Sequence, residues 1–218
     1  MTDSTLTKTT QLKLSPLNIF LMGDLGSGKG TQSDLLVKKF HLYKIDMGEE
    51  QEKQRKQNKN LDKIFKRTVD AGKMNPTEIY RQLVSTAVLR VPRTQGIIFA
   101  GHPKMSREVH FVNKLLKAHH RQNAICIYLS IPWKETIKRN LARAGYFGNQ
   151  KRADDSLAAI NQRKRFSQAH LIKSKPIYKS IYPFKEISAL GTVDVVHKRV
   201  LEAVEKLAKL KIGYTLSI

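Results

Sequence analysis

Leu17-Asn-Ile-Phe-Leu-Met-Gly-Asp-Leu-Gly-Ser-Gly-Lys-Gly-Thr31 is the stretch on which the fold turns. It opens with a short apolar run that stops at Gly23, as a strand buried on both faces of a parallel sheet does. The turn Gly23-Asp-Leu-Gly-Ser-Gly28 follows, and from Lys29 onward Leu35, Leu36, Val37 and Phe40 recur at helical spacing. Gly23, Gly28 and Lys29 fill the frame G-x-x-x-x-G-K between that strand and that helix, the context that gives the motif its meaning. Glycines let the backbone fold into a nest of N–H groups, the helix adds its positive end, and Lys29 supplies a movable cation. Gly26, Ser27, Gly28, Lys29, Gly30 and Thr31 are therefore expected to line a site for nucleotide phosphates.

Downstream, short apolar runs at 42–45, 96–100, 124–131 and 184–187 read as further strands. Helical patterns occupy about 76–90, 105–119, 132–144, 152–178 and 191–210, with Pro76 and Pro132 at first-turn positions where a missing N–H costs nothing. Residues 49–59 are almost wholly charged or polar, and Leu61, Ile64, Phe65 and Val69 then resume a helical stripe. Strands alternating with helices predict a parallel sheet covered on both faces. The expected class is α/β, a three-layer P-loop NTPase fold with five parallel strands. One domain over 16–214 is expected, preceded by a polar tail at 1–15, with insertions near 46–75 and 144–152.

Composition narrows the functional classes. The chain has 218 residues, 40% of them apolar and 27% charged, the balance of a globular domain with a sizeable core. No run of 18 apolar residues exists, so no transmembrane helix is expected. The first 15 residues lack a signal peptide's apolar block and a transit peptide's Arg bias, which points to a cytoplasmic protein. The lone cysteine, Cys126, sits inside an apolar run and reads as a small buried hydrophobe. Forty Lys and Arg against 18 Asp and Glu give a net charge of +22. Such a field attracts phosphate-rich partners, nucleotides or nucleic acid. His119-His120 and Trp133 read as structural or solvated, with no metal-ligand spacing around them.

Gly-Ser-Gly-Lys-Gly-Thr-Gln, with Gly30 directly after the lysine and the hydroxyl one step later at Thr31, resembles the loop of adenylate kinases and related nucleoside monophosphate kinases. The resemblance runs from about residue 17 to 210. Asp70-Ala-Gly-Lys-Met-Asn-Pro76 is similar to the family segment that closes over the acceptor, which implies substrate contacts from Lys73, Met74 and Asn75. Gly101-His-Pro-Lys104 stands where the family has Gly-Phe/Tyr-Pro-Arg. Arg139 and Arg143 resemble the arginines on one side of the ATP lid, and Arg152 and Arg163 those on the other. Eight residues separate Arg143 from Arg152, the short-lid form without a zinc insertion. Leu190-Gly-Thr-Val-Asp-Val-Val196 is similar to the last turn beside the adenine, which places Val193 against the base.

The resemblance implies reversible transfer of the ATP γ-phosphoryl group to a nucleoside monophosphate, AMP foremost, with ATP and Mg2+ and a monomeric enzyme. Lys29, Lys104, Arg139, Arg152 and Arg163 would neutralise charge on the transferring group, a job suited to the planar, bidentate guanidinium. Met47, Gly101, Lys104 and Glu108 would join Arg152 and Arg163 around the acceptor.

Several positions depart from the family pattern. Ala100 replaces the acid that orients water on the magnesium, and Asp24 is a nonstandard acid in the loop, read either as its partial replacement or as an exposed turn residue. Met47 and Glu52 stand where the family has Thr and Arg, with Arg55 or Lys53 available to compensate. Lys104 keeps a charge but loses the fork, and Glu108 replaces a glutamine that reads adenine; a carboxylate only accepts hydrogen bonds. A contrasting reading is a nucleotide-binding or RNA-associated protein that has lost efficient transfer. Ala100 favours it, as does a basic excess that includes Lys114, Lys117, Arg121, Lys164 and Arg165. No RNA-binding motif accompanies that charge.

Overall fold

The apolar run after Pro16 becomes β1 (Asn18–Gly23), a strand buried along its whole length. The computed structural model describes residues 16–70, 75–142 and 157–212. On one side of β1 lies β3 (Ile97–Ala100), with Phe20 opposite Phe99; on the other lies β4 (Ala124–Ser130), with Phe20 opposite Cys126. β2 (Tyr43–Ile45) and β5 (Phe184–Ser188) form the edges, giving the all-parallel order β2-β3-β1-β4-β5. The expected five-stranded parallel sheet is present. Consecutive residues of a strand point to opposite faces, so β1 serves two cores at once. Phe20 and Met22 enter one, Ile19 and Leu21 the other.

Helices cover both faces. α4 (Thr77–Arg90), α5 (Ser106–Ala118) and α7 (Leu157–Ile181) bring Val84, Val112 and Tyr178 into the core that holds Phe20. Phe20 stacks on Phe99 with centroids 4.6 Å apart and meets Tyr178 edge-on. Truncating such a ring to alanine costs about 3–5 kcal/mol. α1 (Lys29–Phe40) and α8 (Val193–Ile212) cover the other face through Leu36, Val200, Val204 and Leu207. α6 (Trp133–Ala142) follows β4. Cys126 is fully buried in β4, as its surroundings in sequence imply.

Between β2 and α4 the charged stretch is helical: α2 (Met47–Gln57) and α3 (Lys59–Arg67) fill it. Two caps start these helices, Asp46 accepting from the N–H groups of Gly48 and Glu49, and Asn58 from those of Asn60 and Leu61. α2 has no apolar stripe; it buries Glu50 and Gln51 instead. The Glu50 carboxylate lies 2.8 Å from Lys53 and 3.4 Å from Arg90 at the end of α4. Arg121, counted above with the basic surface, is a buried structural residue: its guanidinium donates to the carbonyls of Val91, Pro92 and Gln95 and closes the loop before β3.

No described helix is long and apolar enough to cross a membrane.

Candidate active site

Open parallel sheets bind ligands at the carboxyl ends of their strands, where the connections diverge to opposite sides. β1 is that place, since β3 and β4 flank it, and the loop after β1 is the glycine-rich one. Gly26 and Gly28 take φ of 75° and 83°, left-handed values that bend the chain back toward α1. A Cβ on Gly26 would stand 2.6 Å from the Asn140 amide of α6, so backbone and helix meet closely there. At Gly28 and Gly30 a Cβ would have nothing within 4 Å, which leaves the mouth of the nest open. The Lys29 ammonium donates to the carbonyls of Gly23 and Asp24 at 3.0 and 2.7 Å, poised over the loop. Ser27 is buried, Gly30 and Thr31 open α1, and the exposed Thr31 faces solvent beside the nest.

These features fit a polyphosphate. N–H groups and the helix end supply partial positive charge, Lys29 a full one, and the absence of side chains at Gly28 and Gly30 lets an anion approach the backbone. Among the described residues no group of three or more His, Cys, Asp or Glu side chains is arranged to hold a metal. Mg2+ would be carried by substrate phosphates and water, its usual habit, with the Thr31 hydroxyl at the start of α1 as a loop oxygen that could join them.

Asp24 is tied to the neighbouring strand. Its Oδ1 accepts from the Tyr128 hydroxyl at 2.7 Å and its Oδ2 from the Ile131 N–H at 3.0 Å. Both oxygens bond to the end of β4, so the residue is not a freely exposed turn acid.

Where the last helix begins, Gln32 of α1 is buried and donates to the Val193 carbonyl at 3.0 Å, while His197 lies 2.9 Å from the Gln32 side-chain oxygen. Val193 itself is 44% exposed, an open apolar surface beside the loop helix. Sequence reading had the Val193 turn but missed Gln32 and His197; Gln32 follows Thr31 in the loop motif, and that adjacency was the available signal.

Met47 and Gly101-His-Pro-Lys104, expected to meet the acceptor, follow the ends of β2 and β3. Gly101 has φ of 72°, and a Cβ there would stand 3.2 Å from the Lys29 Cε. Gly101 therefore lies close beside the stem of the loop lysine, with little room there for a side chain. His102 is buried, its Nε2 2.9 Å from the Ile45 carbonyl and its Nδ1 3.2 Å from the Tyr80 hydroxyl. Burial pushes its pKa down to about 4, so the ring is neutral at pH 7. Neither this histidine nor its partners was singled out beforehand. Met47 packs against the core at the start of α2. Asn75 Oδ1 is buried with no hydrogen-bond partner among the described residues.

Glu108 is 2% exposed, and one oxygen accepts from the Met105 N–H, capping α5. Burial raises its pKa. Its carboxylate thus serves the start of α5, with backbone hydrogen bonds from Met105 and Lys104 drawing the pKa back against burial. Neither expected substitute for the family arginine at Glu52 is at liberty. Arg55 pairs bidentately with Asp70 and meets Asp62 at 3.1 Å and Glu52 at 3.1 Å; Lys53 is held by Glu50.

Of the arginines expected around the ATP phosphates, Arg139 lies on α6 and donates to Glu135 at 2.7 Å. Arg163 falls on α7, but its side chain lies outside the described residues, as do Lys73, Met74, Arg143 and Arg152 entirely. A cleft of about 70 Å³ beside Asp24 and Leu25 is lined by Trp133 of α6 and Lys164 of α7, whose ammonium rests 3.9 Å over the indole. A roomier cavity of about 380 Å³, lined by Leu17, Phe40, Leu42, Gly96 and Val204, opens at the amino ends of the strands, remote from the phosphate loop.

Residues 21–208 match the family model described as adenylate kinase. The adenylate kinase of Phocaeicola vulgatus is 29% identical over 191 residues, covering 88% of this chain and all of the relative. That of Azobacteroides pseudotrichonymphae is 30% identical over 88% of this chain and 98% of its own length. The Bacteroides thetaiotaomicron enzyme gives 29% over the same share of this chain.

Proposed function

We propose that this chain, which belongs to the adenylate kinase family, moves the γ-phosphoryl group of ATP reversibly to a nucleoside monophosphate, with AMP the leading acceptor and Mg2+ as the metal. The observation that carries this reading is the close approach of Gly101 to the Lys29 side chain, so close that a Cβ at Gly101 would stand 3.2 Å from Lys29 Cε. One lysine lies against both the donor's phosphate loop and the turn expected to hold the acceptor, where two anions must meet. In transfer, an acceptor phosphate oxygen attacks the γ-phosphorus as the bond to the β–γ bridging oxygen breaks. Little covalent chemistry falls to the protein, so positioning and charge neutralisation supply the rate. The nest orients the donor, Lys29 follows the migrating charge, Lys104 meets the acceptor phosphate, and Arg139, Arg143, Arg152 and Arg163 close over both. Magnesium neutralises the donor phosphates. Ala100 leaves its water without the family's carboxylate, which slows transfer without abolishing it.

Family membership favours transfer over a nucleotide-binding protein without activity. The domain plan follows the same reading: a core over 16–214, an acceptor insertion at about 46–75, a short lid at about 144–152, and a cytoplasmic monomer. Incubating the protein with MgATP and a panel of monophosphates, followed by phosphorus NMR, tests it. Diphosphate formation with AMP is the expected result; ATP that stays intact with every acceptor overturns it.

A second property, nucleic-acid association alongside catalysis, is favoured by where the charge lies. α7 carries six basic residues and no acid, whereas α8 mixes five bases with three acids. On neighbouring α5, Arg107, His110, Lys114 and Lys117 recur on the exposed side. Binding of a labelled RNA duplex should weaken steeply with salt. It should also weaken more in a Lys114→Glu/Lys117→Glu/Lys173→Glu variant than in Lys38→Glu/Lys39→Glu/Lys198→Glu on the opposite face. Equal losses would reduce the property to net charge.

A further inference from the structure

We propose that Asp24 is a positioning residue for the donor nucleotide, a clamp that fixes the phosphate loop to the carboxyl end of β4. Its N–H and both carboxylate oxygens face the end of β4, while its carbonyl faces the loop, where it accepts from Lys29 and from the Ser27 N–H. Its N–H donates to Leu129 at 2.9 Å, its carbonyl accepts the Lys29 ammonium at 2.7 Å, and its carboxylate takes Tyr128 on one oxygen and the Ile131 N–H on the other. Charge-assisted bonds of this kind are roughly twice as strong as neutral ones. They hold the segment at the point where the strand ends and the nest begins.

The clamp is itself supported from behind. The Lys175 ammonium of α7 rests 4.3 Å over the Tyr128 ring and pairs with Glu186 of β5 at 2.7 Å. Burial and the Asp24 carboxylate both raise the Tyr128 pKa, so the phenol remains a donor at neutral pH. A glycine-rich loop has little rigidity of its own, because glycine surrenders the most conformational freedom on ordering. An anchor that orders it in advance lowers the entropy lost when phosphates bind. The cost is one negative charge close to an anion site. That cost is offset because both oxygens already accept hydrogen bonds, from the Tyr128 hydroxyl and the Ile131 N–H.

The inference rests on the kinase reading, and its test separates the two. MgATP binding is measured by calorimetry, and KM for MgATP and for the acceptor together with kcat by steady-state assay, in wild type, Asp24→Ala, Asp24→Asn and Tyr128→Phe. Asp24→Ala should weaken MgATP binding and raise its KM about tenfold while the acceptor KM holds. Tyr128→Phe should show a smaller change of the same kind, and Asp24→Asn, which keeps one acceptor oxygen, should recover part of the loss. The double variant Asp24→Ala/Tyr128→Phe should be no worse than Asp24→Ala, because the two act as one unit. If Asp24→Ala fails to fold, Asp24→Asn and Tyr128→Phe carry the test. Unchanged MgATP affinity in variants that merely melt earlier overturns the clamp and leaves the kinase reading standing. A wild type with no MgATP affinity overturns the kinase reading itself.

Discussion

The buried Glu50 makes an asymmetric prediction. Its side chain is 3% exposed, while its partners Arg90 and Lys53 are 42% and 49% exposed. Removing a cation strands a carboxylate in the interior; removing the carboxylate leaves two cations that water can reach. Breaking a fully buried pair from one side costs about 3–5 kcal/mol, and replacing its charges by apolar groups is often neutral or favourable. Lys53 remains after Arg90→Ala, and the Arg90 contact is long at 3.4 Å, so the loss for that variant should be about 1–3 kcal/mol. Arg90 also donates to the Tyr43 hydroxyl at 3.3 Å, which belongs to the same loss. Glu50→Leu should stay within about 1 kcal/mol of wild type or exceed it. Most telling is the double variant: adding Glu50→Leu to Arg90→Ala should restore stability. Urea titration at pH 7 and thermal melting read these differences, at about 2–4 °C per kcal/mol for a chain of this size. If Glu50→Leu is as damaging as Arg90→Ala, or if the two losses add, the reasoning from desolvation is wrong.

His102 governs part of the acid limb of stability. Its folded pKa of about 4 lies below the ordinary 6.5, so between those values the unfolded chain binds a proton that the native state refuses. Stability therefore rises with pH across that window, and the cost grows to about 3 kcal/mol as pH falls through it. His102→Phe should flatten this part of the profile when urea midpoints at pH 7 and 5 are compared with wild type; an unchanged difference argues against it. Gly101→Ala places a Cβ 3.2 Å from Lys29 Cε at a φ of 72°. It should lose about 1–2 kcal/mol in melting experiments and about tenfold or more in kcat, whereas wild-type kinetics would deny that Gly101 and Lys29 need their contact. Ala100→Asp should raise the transfer rate with magnesium; no change would mean that another group orients the metal's water.

Much of the architecture was legible because Ile19–Met22 of β1 and Ala124–Leu129 of β4 are near-continuous apolar runs, as strands covered on both faces are, and because the loop glycines punctuate strand from helix. Segment 49–59 was harder to read, since the contacts that hold α2 in place are polar: Asp46 caps it, and Glu50 finds Lys53 and Arg90 from a distant helix. Arg121 misled for a related reason. A basic residue in a basic chain looks solvated until three carbonyls from another loop are seen around its guanidinium. At the site, the loop motif located Lys29 by spacing alone. Spacing says nothing of pairs such as Asp24 with Tyr128 or Gln32 with His197, which lie over a hundred residues apart and meet only through the sheet order.

Phosphoryl transfer from MgATP to AMP, compared between wild type and Lys29→Ala, is the most direct measure of the central claim. Wild type should form ADP from both nucleotides, and the variant should be slower by about a hundredfold or more, since its loop has lost the one cation that follows the migrating charge. Equal rates in the two proteins, or a wild type that transfers to no monophosphate at all, would contradict it.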